Sequence, residues 1–224
     1  MDYSEIIGLL ESQANPATAA GMARYGITAQ KVYGITIPVL RKMAKECGRD
    51  HDLAVRLWAV NSRETRILAS MIDQPAMVDE SQMEKWVKDF DSWEVCDQCI
   101  MNLFEKTPYA WGKAVEWCSR EEEFVKRAGF VLMARLAVSD KKAGDERFTP
   151  FFTLIEREAH DSRNFVKKAV NWALRQIGKR NISLNKPAVE TAQTISGMES
   201  ASARWIASDA LKELTSDKIR ERLS

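Results

Sequence analysis

Residues 165–177 read FVKKAVNWALRQI, and the fold turns on how this stretch is read. Its apolar positions fall at Val166, Ala169, Val170, Ala173, Leu174 and Ile177, a helical spacing that gives one continuous apolar face. Basic residues lie beside or near this apolar run. Three other stretches share the pattern: ETRILASMI (64–72), VKRAGFVLMARLA (125–137) and SARWIASDALKEL (202–214). Aligned on Arg66, Asp97, Arg127, Lys168 and Arg204, they recur at intervals of 31, 30, 41 and 36 residues. That is close to the period of HEAT-type helix pairs. A single pair cannot bury its apolar face alone, so neighbours must stack. An irregular helical bundle is the other arrangement this periodicity allows.

Outward from these stretches, the remaining segments also read as helices: 3–13, 16–24, Pro38 to about Cys47, from Asp50 or Asp52 to about Val60, 62–72, 80–89, Trp93 to Lys106, 109–118, 121–138, 145–159, 162–179, 186–196, 200–214 and a short tail. Residues 25–38 carry Gly26, Gly34 and Pro38 among β-branched residues and read as an irregular connection. No segment shows the period-2 alternation of a strand. The expected fold is therefore all-α, a curved superhelical stack of HEAT-like antiparallel helix pairs (an α-solenoid), with 1–224 as one domain.

Composition narrows the class. Of 224 residues, 45% are apolar and 29% charged, with only 10 Gly and 6 Pro, which suits a soluble helical protein. No run of 18 apolar residues suggests a membrane span, and the acidic start MDYSEIIGLLESQ lacks the features of a secretory signal. A cytoplasmic location and a monomeric state are the expectations. Net charge is +1. Phosphate contacts dominate nucleic-acid affinity, so a chain this close to neutral must gather its cations on one face if it binds DNA. Cys96 and Cys99 form a C-x-x-C, but a zinc site needs two more ligands at suitable spacing. Cys47, Cys118, His51 and His160 stand apart, so the cysteines read as small buried apolar residues and no metal is expected.

Three places do not fit a plain core. In DSWEVCDQCIMNLFEK (91–106), Asp91 is placed to cap a helix, with Glu94 three residues on. Asp97 then lies on the apolar stripe of Trp93, Cys96, Ile100, Leu103 and Phe104, where a carboxylate is costly unless it is paired or used. Arg127 sits likewise among Phe124, Val131 and Ala134. A structural ion pair, even between Asp97 and Arg127, fits both as well as a functional role does. Finally, 162–181 holds Arg163, Lys167, Lys168, Arg175, Lys179 and Arg180 without an Asp or Glu, around Trp172. This is either a solvated helix face with Trp172 in the core or a phosphate-binding strip with an aromatic that touches nucleic acid. Trp58, Trp86, Trp111, Trp117 and Trp205 read as helix-packing residues. No phosphate loop, G-x-S-x-G or H-E-x-x-H is present, which leaves carboxylate chemistry aided by aromatic and cationic groups.

YGITIPVLRKMAK (33–45), DHDLAVRLW (50–58) with ETRILAS (64–70), DSWEVCDQ (91–98) leading to VKRAGFVLMA (125–134), and NFVKKAVNWALR (164–175) together resemble the AlkD-like alkylpurine DNA glycosylases over nearly the whole chain. The resemblance implies a curved stack of HEAT-like pairs whose concave face grips duplex DNA. It implies excision of cationic N3- and N7-alkylated purines without metal or organic cofactor. By motif it puts the active-site set on Trp93, Asp97, Arg127 and Trp172. Two other functions fit the same residues: a non-catalytic repeat protein that binds damaged or branched DNA, and a protein–protein scaffold.

Overall fold

Short polar side chains start most of the helices. Asp2, Asn15, Asp50, Ser62, Asp79, Ser92, Asn181 and Ser200 each accept a hydrogen bond from a backbone N–H of the first turn. Such caps satisfy donors that the helix itself leaves unpaired. The computed structural model describes residues 1–27 and 29–223. Thr28, within the connection expected at 25–38, lies outside the described residues, as does Ser224. Every regular element among the described residues is helical.

The chain divides into two compact units, Met1–Pro108 and Tyr109–Ser224. The first holds α1 (Tyr3–Ser12), α2 (Pro16–Ala23), α3 (Ile37–Cys47), α4 (His51–Ala59), α5 (Arg63–Ile72), α6 (Glu80–Lys88) and α7 (Trp93–Asn102). In it α5 packs on α4 and α3, and α7 packs on α5. The second holds α8 (Ala110–Trp117), α9 (Glu123–Ser139), α10 (Thr149–Glu158), α11 (Asn164–Gly178), α12 (Ile182–Ser196), α13 (Ala201–Leu214) and α14 (Asp217–Leu223). There α9 packs on α8, α11 on α9, and α13 on α11 and α12. Within each unit the second helices of successive pairs therefore stack on one another, as the repeats require.

The repeat interval reappears in the polar contacts between pairs. Arg63 Nε donates to Glu94, 31 residues on, and Trp58 Nε1 to Asp89 at the same separation. Lys126 Nζ meets Glu158 32 residues on, and Arg175 meets Asp209 34 residues on. Aromatic packing fills each layer: the Trp58 and Trp86 rings lie parallel with centroids 3.9 Å apart, and Trp111 stacks on Phe151 at 5.6 Å. Cys96, Cys99 and Cys118 are buried, while Cys47 is only half-buried. Burial pushes the Cys99 thiol well above its ordinary range.

Several local expectations are corrected. Ser92, not Asp91, caps α7; Asp91 instead pairs with Arg66 at 3.2 Å, and Glu94 turns to Arg63. The helix expected to reach Lys106 stops at Asn102, and a short 3-10 turn follows at Phe104–Lys106. Leu103 and Phe104 are both fully buried. Neighbouring residues on an α-helix point in different directions, so breaking it at Leu103 lets both side chains face the core. The segment from 145 opens with a 3-10 turn, and α10 begins only at Thr149, with Pro150 in its first turn. In contrast, α12 starts at Ile182, ahead of the expected 186, because Asn181 supplies the cap and Pro187 is carried inside the helix.

Candidate functional site

In the first unit, Trp93 is the first residue of α7 and Asp97 lies one turn on, on the same face. Asp97 is 8% exposed, and Trp93 is half-buried. The Trp93 indole is held at its edge: Nε1 donates to the carbonyl of Tyr25 at 2.9 Å. That carbonyl sits beside a left-handed turn at Gly26, where φ is +75°. The connection is anchored further on by Glu64, which is fully buried. Its carboxylate accepts from the backbone N–H groups of Tyr33, Gly34 and Ile35 at 2.9, 2.9 and 3.2 Å. Arg63 completes the cluster, donating to Glu64, to Glu94 and to the Ile35 carbonyl. Burial works against the Arg63 charge, but its bonds to Glu94 and Glu64 outweigh that and hold its pKa above the ordinary value.

In the second unit, Arg127 lies within α9 and is 6% exposed. Its Nη1 donates to the carbonyl of Phe165, in the first turn of α11, at 2.6 Å. The Phe124 and Phe165 rings pack on each other, with centroids 5.7 Å apart. Trp172 lies two turns beyond Phe165 on α11, about 10 Å along the axis, and is half-buried. Lys126, next to Arg127, is also buried, between Glu158 at 2.7 Å and Asp161 at 3.6 Å. Burial alone would raise the Glu158 carboxyl; Lys126 and Arg157 instead hold it below its ordinary value. Asp161 behaves alike, with Arg163 as its main hydrogen-bond donor.

The basic strip is more engaged than its local sequence suggests. Arg163 is clamped to Asp161 at 2.6 Å and donates to the Glu121 carbonyl. Arg175 meets Asp209 and Glu213, and Lys179 meets Glu213 at 2.8 Å. Arg180 donates to the carbonyls of Ala137 and Ala143 and lies over the Phe148 ring. Lys168 is exposed, and Lys167 lies over the Trp205 ring at 4.9 Å. Trp205 is 40% exposed, so it is not the packing residue its helical spacing suggested. Sequence reasoning missed Glu64, Lys126 and the two carbonyls that hold Trp93 and Arg127. Only the acid in the basic, apolar stretch 63–72 carried a local signal; the carbonyls carried none.

Residues 6–214 match a family model described as DNA alkylation repair enzyme. No curated protein matches the chain by sequence. A solved structure, described as from a new family of proteins related to the HEAT-like repeat DNA glycosylases with affinity for branched DNA structures, superposes with a TM-score of 0.82 at 20% identity. The match covers 100% of this chain and 96% of that one, and at this identity the likeness is one of fold. An engineered protein aligns with a TM-score of 0.41 and 12% identity, over 79% of this chain and 90% of its own. Among the described residues, no helix is long and apolar enough to cross a membrane.

Proposed function

The chain belongs to the DNA alkylation repair enzyme family, and on that premise we propose that it hydrolyses the N-glycosidic bond of cationic N3- or N7-alkylated purines in duplex DNA. The observation that carries the reading is the buried carboxylate of Asp97, one helical turn from the half-buried Trp93 on the same face of α7. Alkylation gives the purine a positive charge, so it leaves readily. The bonding electrons go to the base and discharge it, while the deoxyribose gains oxocarbenium character. The Asp97 carboxylate stabilises that charge, orients a water toward the anomeric carbon and takes up its proton. The indole face of Trp93 favours the same positive charge through its quadrupole, and Trp172 of the second unit presents an indole to the DNA. Arg127, whose guanidinium fork suits a phosphate, contacts the DNA backbone. No step calls for a metal or an organic cofactor.

A second reading is binding of branched DNA without excision. It is favoured by the whole-chain fold match to proteins related to the HEAT-like repeat DNA glycosylases with affinity for such structures. One experiment separates the two: base release from methylated duplex DNA by the wild type and by Asp97→Asn, with DNA binding measured alongside. Release of 7-methylguanine or 3-methyladenine by the wild type, lost in the variant while binding persists, supports excision and the role of Asp97. A folded wild type that binds a branched duplex and releases no base moves the assignment to the second reading.

A further inference from the structure

A cavity of about 410 Å³ opens in the second unit where α9, α11 and α14 end. Among the described residues it is lined by Lys141, Lys179, Arg180 and Arg222 together with the apolar Ala137, Val138 and Leu223 and the neutral Gln176, and none of these is a carboxylate. Two of the cations are fixed by neutral partners. Arg180 donates to the Ala137 and Ala143 carbonyls at 3.0 and 2.7 Å, and Arg222 donates to the Lys179 carbonyl at 2.6 Å. A carbonyl orients a guanidinium without discharging it, and these bonds use only part of each group's five N–H donors. Lys179 is balanced by Glu213, and Lys141 is exposed at the rim. Each helix C-terminus brings roughly half a negative charge. With Glu213 added, the four cations still outweigh the negative charge that the described residues bring.

We infer that this cavity binds a backbone phosphate of DNA, beside the surface that carries Trp172; the choice of DNA as the source rests on the function proposed above. Phosphate is the ligand whose geometry matches forked guanidinium donors. The link to DNA is the register of α11. Gln176 lies one turn from Trp172 on the same face, about 6 Å along the helix, and the C-cap Lys179 lies two turns away, about 11 Å along, with Arg180 following it. Lys168, exposed, lies one turn in the other direction. A strand laid over Trp172 therefore carries a flanking phosphate over the cavity. Continuity of this kind also answers how a chain of net charge +1 holds a polyanion: cations are concentrated locally at helix ends, and two of them, Arg180 and Arg222, are held by carbonyls that leave their charge in place.

The test is binding of a short undamaged duplex across a salt series by the wild type, Lys141→Glu and Arg222→Gln. Lys141 is an exposed rim residue, so its variant keeps the fold, as a thermal melt checks. Each variant is expected to weaken binding roughly tenfold at low salt and to make the slope of log K against log salt shallower by about one per lost contact. Wild-type affinity and slope in both variants overturn the inference. Inorganic phosphate, titrated while the arginine side-chain NMR signals are followed, separates the sources. Phosphate that shifts the Arg180 and Arg222 signals while DNA binding ignores both substitutions means a free-phosphate site and overturns the DNA assignment. Absence of base release alongside the expected loss of salt slope removes the excision reading and leaves this one standing.

Discussion

Replacing Glu64 with glutamine keeps the shape of a fully buried side chain and removes half of what it does. In the wild type, Oε1 accepts from Gly34 N, Ile35 N and Arg63 Nη1, and Oε2 accepts from Tyr33 N. The best placement of the glutamine oxygen keeps the two backbone bonds at Oε1. Its NH2 then confronts the Tyr33 N–H, leaving a buried donor with no acceptor, which costs about 1–3 kcal/mol. The bonds that remain lose their charge assistance, roughly another 1 kcal/mol together. Arg63 retains Glu94 at 2.6 Å, so no cation is stranded. The expected loss is about 2–4 kcal/mol out of a typical 5–15 kcal/mol. Urea unfolding measures it, followed by near-UV circular dichroism of the parallel Trp58–Trp86 pair, which reports on the same unit. A loss below about 1 kcal/mol with an unchanged m-value would refute the claim that this carboxylate holds the connection that follows α2. Because that connection also presents the Tyr25 carbonyl to Trp93, the variant is expected to lower base release even where it remains folded.

Gly34 has φ +79°, and a Cβ there would lie 2.2 Å from the Asn15 carbonyl oxygen; Gly34→Ala should lower the melting temperature by an amount equivalent to about 3 kcal/mol, combining left-handed strain with the clash. Gly129→Ala should destabilise the second unit, since its Cβ would lie 2.3 Å from the Cys118 backbone nitrogen where α9 crosses the end of α8; calorimetry showing no change would mean the helices separate freely. The Glu158 and Asp161 carboxyls are held below their ordinary values of 4.5 and 3.8. Their contribution to stability is complete above those values and is lost as pH falls through the lower folded values. Urea midpoints should therefore drop below pH 4.5, and drop less steeply in Glu158→Gln; an equally steep fall in that variant contradicts the assignment. Lys126→Met removes the buried cation that Glu158 and Asp161 share, but Glu158 keeps Arg157 and Asp161 keeps Arg163, so the cost in urea unfolding at neutral pH should be about 1–3 kcal/mol.

The helices, their repeat interval and the shared face of Trp93 and Asp97 were legible in the sequence, because helical period and turn residues are properties of short stretches. The stretch 165–177 showed both its apolar face and its cations. What the cations meet was not legible: Asp209 and Glu213 reach Arg175 and Lys179 from α13, 34 residues on. Local charge counting sees a bare basic strip where stacking has supplied acids. The choice of Ser92 over Asp91 as cap depended on Arg66 claiming Asp91 from the neighbouring helix. The break at Leu103 depended on two adjacent side chains both having a core to enter. The carbonyls that hold Trp93 and Arg127 carry no residue identity at all, so no pattern of side chains could point to them. The sequence by itself determined which segments are helical and which faces are apolar, since those follow from interactions within a few residues. Only the tertiary structure decided which polar groups satisfy one another, because a buried charge takes its partner from whichever repeat is stacked against it.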